Sequence, residues 1–201
     1  MSAKRQDLVI TQGSTFIRTI RWETAPLKWV PITAIGQVAP MLVTAAGHGL
    51  TDGWKAAIVN VLGMLDANAK YLPPRDSDFQ PCTFISATQV AFNTVSAANF
   101  DAYVSGGYVV YYTPVNLVGY TARMTIKDKI GGTVLATLVM QAGTGFVIDT
   151  AAQTITMTIT ATDTAGYTWL KGVYDLEMVD GSGIVTAILS GNVSVSDEVT
   201  T

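Results

Sequence analysis

The sequence predicts an all-β protein, built as an antiparallel β-sandwich with a small β-barrel inserted into it. Thr, Val and Ile account for 63 of the 201 residues, and β-branched side chains favour strands over helices. Short stretches of alternating apolar and polar residues recur along the chain. The 18 glycines and seven prolines punctuate these stretches as turn residues do.

The clearest strand signals lie in the C-terminal half of the chain. Residues 119–127, 154–160 and 173–179 alternate apolar and polar side chains almost without error, which predicts strands with one buried face. Near the N-terminus, residues 7–12 and 14–22 are also extended in pattern. Thr162–Thr164 can cap a single helical turn between two of the later strands.

The pattern of residue types changes in the middle of the chain, which predicts a discontinuous domain. The N-terminal strands are too few to form a stable sheet alone, and the strands after Pro114 would leave their edges exposed without them. We therefore assign residues 1–33 and 112–201 to one sandwich of about eight strands. Residues 34–111 form the inserted barrel module, because surface loops tolerate such insertions.

Composition argues against several classes of partner. Only 13% of the residues are charged, the net charge is −3, and no basic cluster exceeds Lys4-Arg5, so a nucleic-acid surface is not expected. No stretch is long and apolar enough for a membrane helix, and no signal-peptide core follows the first residues. The single Cys82 cannot form an intramolecular disulfide, which fits folding in a reducing cytoplasm. A mean hydropathy of +0.34 indicates apolar surface that neighbouring subunits cover.

No residue pattern indicates an enzyme, so no catalytic residue is predicted. His48 is the only histidine, and a general base needs a nucleophile and an orienting acid nearby. Cys82 and Asp52 lack the surrounding motif for either role. We expect His48 to serve a glycine-rich turn, either by packing or by local hydrogen bonds.

The acidic residues do not form the pattern of a metal site or of a hydrolase either. Asp66, Asp76 and Asp78, together with Asp52, lack the spacing of a calcium loop. Asp175 and Glu177 share one face of a strand, as a glycosidase pair would, but outward alternation favours exposure to solvent or a subunit contact. We therefore expect neither a metal nor a cofactor.

Several segments of the sandwich resemble a virion module of tailed bacteriophages. They are Gln12–Phe16, Gly119–Lys127, Gly172–Glu177 and Leu189–Val195 with Glu198–Thr200. The module is the N-terminal domain of upper-baseplate proteins that carry receptor-binding proteins, and of related fibre-attachment proteins. The likeness covers residues 1–33 and 113–201 and includes the order of the elements.

The inserted module resembles a small β-barrel repeat of phage tail proteins. The matching segments are Thr44–Leu50, Gly53, Val59, Gly63–Met64 and Tyr103–Gly107. The same repeat is similar to the first catalytic-cysteine half-domain of ubiquitin-activating enzymes, a likeness of barrels that implies no ubiquitin chemistry.

These resemblances imply a structural protein of a tailed-phage particle. We expect a component of the tail, neck, collar or baseplate that oligomerises and anchors fibres or receptor-binding proteins, with other virion proteins and further copies of itself as partners. Residues 154–160 form a neutral strand without Lys or Pro, the kind that pairs edge to edge when uncovered. The candidate interface residues are Thr156, Thr158, Val193, Val195, Val199, Trp54, Tyr71 and Phe79.

The alternative is a carbohydrate-binding module that contacts a polysaccharide of the bacterial surface. Aromatic residues concentrate in the inserted module, and exposed rings can stack on sugars or anchor a protein interface. They are Trp54, Tyr71, Phe79, Tyr103, Tyr108, Tyr111 and Tyr112. Exposed coplanar rings would favour the sugar-binding function, whereas large apolar contacts between subunits would favour the structural one.

Overall fold

The computed structural model describes residues 3–141 and 143–198 and confirms the all-β class. Its strands are β1 (Lys4–Arg5), β2 (Leu8–Thr11), β3 (Phe16–Ile20), β4 (Glu23–Pro31), β5 (Ala34–Ile35), β6 (Met41–Thr44), β7 (Lys55–Leu62), β8 (Gln80–Ser86), β9 (Gln89–Phe92), β10 (Ser105–Pro114), β11 (Thr121–Lys127), β12 (Val134–Leu138), β13 (Gly145–Asp149), β14 (Thr154–Ile159), β15 (Lys171–Val179) and β16 (Val185–Ser196). Two 3₁₀ turns, Leu65–Ala67 and Asp76–Asp78, and one short helix, α1 (Ala161–Ala165), complete the described elements.

The chain divides into two compact units, residues 1–22 with 115–201 and residues 23–114. The borders differ from the predicted 33/34 and 111/112. β4 pairs antiparallel with β10 from Glu23 opposite Pro114 to Pro31 opposite Tyr108, so both strands belong to the second unit. The sequence of residues 23–31 could not reveal this, because a local pattern does not identify the partner strand.

The first unit is a β-sandwich of a large and a small sheet. The large sheet has the order β1-β16-β15-β11-β12, and β2 also pairs with β16; the small sheet has the order β13-β14-β3. Neighbouring strands are antiparallel except for β1 and β2, which run parallel to β16. The predicted strands after residue 119 therefore combine with N-terminal strands in both sheets.

One apolar core lies between these two sheets. Both sheets contribute to it, and its fully buried members include Ile10, Met124, Phe146, Ile155 and Leu176. The N-terminal segment crosses β16 very closely, since a Cβ at Gly191 would collide with the carbonyl of Gln6. A glycine at position 191 therefore permits the first strands to join the large sheet.

Helix α1 connects the two sheets at the predicted capped turn. Thr160 is its N-cap, and its side chain accepts a hydrogen bond from the backbone N–H of Asp163. The Asp163 carboxylate in turn accepts hydrogen bonds from Thr160 and Thr144. These hydrogen bonds hold the pKa of Asp163 below its usual range.

The second unit consists of seven strands in the order β4-β10-β7-β8-β9-β6-β5. The first and last strands of this path are consecutive in the chain. Ile32 still donates its N–H to the carbonyl of Gly107 in β10, whereas Thr33 already donates its N–H to the carbonyl of Thr44 in β6. A closed barrel stays a prediction, and this continuity favours it.

Removing the second unit tests whether the sandwich folds alone. Val115 donates its N–H to the carbonyl of Trp22 at 2.9 Å, so the ends left by deleting residues 23–114 are adjacent. We expect that a short Gly/Ser bridge there leaves a soluble sandwich that unfolds cooperatively in thermal melts followed by circular dichroism.

Deleting residues 34–111 is the matched control. This deletion leaves β4 without most of β10, its pairing partner, so we expect a lower melting temperature and aggregation. A chain lacking residues 23–114 that does not fold would contradict the independence of the first unit.

Candidate functional site

The central part of the outer side of the small sheet carries five uncharged residues, which we call the threonine face. They are Ile17, Thr19, Val147, Thr156 and Thr158. Asp149 lies on the same side at the end of β13, opposite Thr154. The alternation of β14 produces the threonine face, because Ile155, Met157 and Ile159 enter the core and the threonines between them point outward. The predicted interface residues Thr156 and Thr158 therefore lie on one face, half-buried by their neighbours.

Strand register aligns the side chains of this face in rows. Thr156 lies between Val147 and Thr19, and Thr158 is opposite Ile17. The hydroxyls of Thr19 and Thr156 are 3.1 Å apart and share a hydrogen bond. Ile17 is 63% exposed and Val147 51%, so large apolar side chains remain in contact with water.

Of the two ways in which strand 154–160 could contact a partner, by an open edge or by an outer face, only the face is available. β14 is the central strand of the small sheet, and β13 and β3 occupy both of its edges. The backbone N–H and C=O groups of β14 therefore bond to β13 and β3, and only the outward side chains of β14 can reach a partner. The sequence did not reveal that residues 16–20 would pair with a strand so distant in the chain.

The C-terminal interface residues point into the sandwich. Val193 is 1% exposed and Val195 6%, because both side chains face the apolar core of the sandwich. Val199 lies outside the described residues. Val193 and Val195 thus contribute core contacts rather than outer surface.

The aromatic interface residues of the second unit are mostly buried as well. Trp54 and Phe79 are buried, and Phe79 packs against Tyr112 with ring centroids 5.4 Å apart. Tyr71 is half-buried, and the Arg75 guanidinium lies 3.8 Å from its ring centroid. A ring face occupied by arginine is not free to stack on a sugar.

Trp29 belongs to an exposed aromatic pair that no sequence pattern indicated. Its ring lies 5.8 Å from that of Tyr108, at an interplanar angle of 77°, and both residues are partly exposed. The pairing of β4 with β10 brings them together. An edge-to-face pair does not offer the coplanar surface that a sugar-binding platform uses.

His48 stabilises the turn in which it lies. The ring is fully buried, its Nδ1 accepts the N–H of Leu50 at 3.0 Å, and its Nε2 lies 2.9 Å from the Ser86 carbonyl. The first bond makes Nδ1 an acceptor, so Nε2 carries the proton and donates it. The Tyr111 hydroxyl also donates to the carbonyl of His48.

Truncating His48 should therefore destabilise the second unit. His48→Ala leaves a buried N–H and a buried carbonyl without partners, and we expect a loss of about 2–4 kcal/mol in the free energy of unfolding. Urea denaturation measures it. His48→Asn keeps an acceptor near the N–H of Leu50, so its free energy of unfolding should fall by less. A zinc ion retained by the wild type and lost from His48→Ala would contradict this structural role.

The outer side of the large sheet is charged, in contrast to the threonine face. This charged face carries Arg123, Lys127, Asp175 and Glu177 around a shallow groove of about 600 Å³. Arg123 forms an ion pair with Glu177 at 2.7 Å, and Asp175 is opposite Ser190 and Thr125 in the strand register. A salt-bridged Glu177 has the arrangement of a surface ion pair, which favours solvent exposure over glycosidase chemistry.

Two of the four aspartates considered as calcium ligands accept hydrogen bonds from backbone N–H groups. Asp78 accepts the backbone N–H groups of Arg75 and Lys70, and Asp52 accepts that of Phe84. Within residues 3–141 and 143–198, no group of three or more His, Cys, Asp or Glu is placed to hold a metal ion.

Tyr174 anchors the N-terminal segment beside this charged face. Its hydroxyl donates to the carbonyl of Gln6 at 2.7 Å. Burial of the phenol raises the pKa of Tyr174 to about 12, with Arg18 opposing the rise and Asp7 and Asp175 adding to it.

Tyr174 should make stability depend on pH in the alkaline range. Since the folded-state pKa is above the unfolded value of 10.0, its contribution is complete below pH 10.0 and is lost as the pH rises towards about 12. We expect a loss of about 2 kcal/mol at most, measured by urea unfolding at stepped pH. Tyr174→Phe should flatten this part of the profile. Equal profiles for wild type and Tyr174→Phe would contradict the assignment.

No known protein-family profile matches the chain, and no curated protein matches it significantly. No helix within the described residues is long and apolar enough to cross a membrane.

Proposed function

We propose that this protein is a structural subunit that assembles with neighbouring chains through β-sheet surfaces. On the strength of the resemblance, the assembly is a tailed-phage particle, and the subunit belongs to its tail, neck, collar or baseplate. There it oligomerises and anchors fibres or receptor-binding proteins.

The observation that supports this proposal is the contrast between the two outer faces of one sandwich. The charged face carries four ionisable side chains, including an Arg–Glu ion pair. The threonine face carries none, and it exposes Ile17 and Val147. Sheets pack face to face through apolar and small polar side chains about 10 Å apart, so the threonine face is suited to such a contact.

The function is geometric, and no reaction is involved. A sandwich whose two sheets share one apolar core is rigid, because core side chains interdigitate at crystal-like density. A partner that covers the threonine face removes Ile17 and Val147 from water without leaving a charge desolvated. The second unit is a separate compact body and can carry an attachment surface of its own.

Lysines on the threonine face should exclude the chain from particles. Thr156→Lys with Thr158→Lys places two charges in the proposed contact, while unfolding free energy should change by less than about 1 kcal/mol, since both side chains point outward. The measurement is mass spectrometry of purified particles from a phage that encodes this chain, with variant and wild type expressed in trans.

The matched control is Thr121→Lys with Thr168→Lys, two exposed threonines of the same unit away from the threonine face. We expect the control pair to be incorporated like the wild type. Equal incorporation of the Thr156/Thr158 variant would contradict the proposed contact. Absence of the wild-type chain from particles, with binding to surface polysaccharide instead, would replace the structural function by the carbohydrate-binding alternative.

A further inference from the structure

The outer edges of the sandwich sheets differ in how they are protected from further strand pairing. The edge formed by β1 and β2 carries Lys4, Arg5 and, between the two strands, Asp7. β3 has Arg18 at its centre. Charges on an edge strand discourage pairing with another chain.

The two remaining edges are those of β13 and β12. β13 is partly covered by its own chain, because Phe146 donates its N–H to Val139 and bridges to Met140. β12 pairs only with β11 among the described strands. It contains neither charge nor proline, and its one irregularity is a register shift at its start, where Val134 is opposite Lys127.

Exposed apolar side chains surround this unprotected edge. Val134 is 52% exposed, Val139 49% and Met140 40%, and Ile130 in the preceding turn is 92% exposed. Leu135 and Ala136 of the same strand pack against the sandwich core, so the backbone of β12 is held in place. An anchored, uncharged strand with apolar surroundings is a template for another strand.

We propose that β12 pairs antiparallel with β12 of a second copy, about a two-fold axis near Ala136. This pairing joins the two large sheets into one continuous sheet. It is a property of the isolated chain and goes beyond the assembly proposed above.

Self-complementarity identifies the second copy as the partner. Antiparallel pairing about Ala136 places Val134 opposite Leu138 of the partner and Leu135 opposite its Thr137. Every contact is then apolar or hydroxyl-bearing, and a two-fold interface repeats each contact once. The same operation on β3 would place Arg18 opposite itself, and like charges directly opposite each other destabilise a sheet.

Sedimentation equilibrium and hydrogen exchange test the pairing. A five-residue strand pair is smaller than a standard interface, so we expect a weak dimer that forms at concentrations of about 0.1–1 mM. As the concentration rises, amide exchange should slow at residues 134–138 and stay unchanged at residues 16–20. Val134→Lys with Thr137→Lys should raise the dimer Kd about tenfold or more.

The control is Thr121→Lys with Val185→Lys, which also replaces one exposed Thr and one exposed Val, at positions of the same sheet that do not pair with β12. It should dimerise like the wild type. A chain that stays monomeric throughout, a dimer that persists with lysines at 134 and 137, or protection that develops at residues 16–20 instead would overturn the proposal. The dimer is measured on the isolated chain, whereas the proposed function is measured by incorporation into particles. The β12 pairing can therefore fail while incorporation succeeds, and incorporation can fail while the β12 pairing is observed.

Discussion

The pairing of the first strands with strands from the far end of the chain is the constraint on which the sandwich depends. β3 completes the small sheet beside β14, and β2 lies along β16 in the large sheet. Without residues 4–20, β14 would have an open edge and the core would lose Leu8 and Ile10. The entropy of closing a loop around the second unit must be overcome before these contacts form.

The same constraint explains where the chain can accept an insertion. The backbone hydrogen bond between Val115 and Trp22 closes the sandwich at the point where the chain leaves and returns. The strands of the second unit then form their backbone hydrogen bonds within that unit, with β4 and β10 paired along their length. Each unit has a separate apolar core, so neither core depends on side chains that the other unit buries.

Surface chemistry follows from which strand positions the core uses. The core takes alternate residues of β11, β14 and β15, and the residues between them define two unlike outer faces. One has acquired charges that suit it to water, and the other keeps threonine, valine and isoleucine. The strand edges differ in the same way, since charged residues mark β1 and β3 but not β12. Such differences within one small unit give a physical basis for directional assembly.

The sequence by itself determined the all-β class, the buried face of each clearly alternating strand and the presence of a discontinuous domain. These features depend on local chemistry, namely β-branched composition, a two-residue period and glycine turns. It also predicted that His48 stabilises the glycine-rich turn in which it lies. It did not determine the unit borders, the central place of β14, the burial of Val193 and Trp54, or the encounter of Trp29 with Tyr108. Those were decided by the tertiary structure, because periodicity states which side chains share a face but not which distant strand lies beside them.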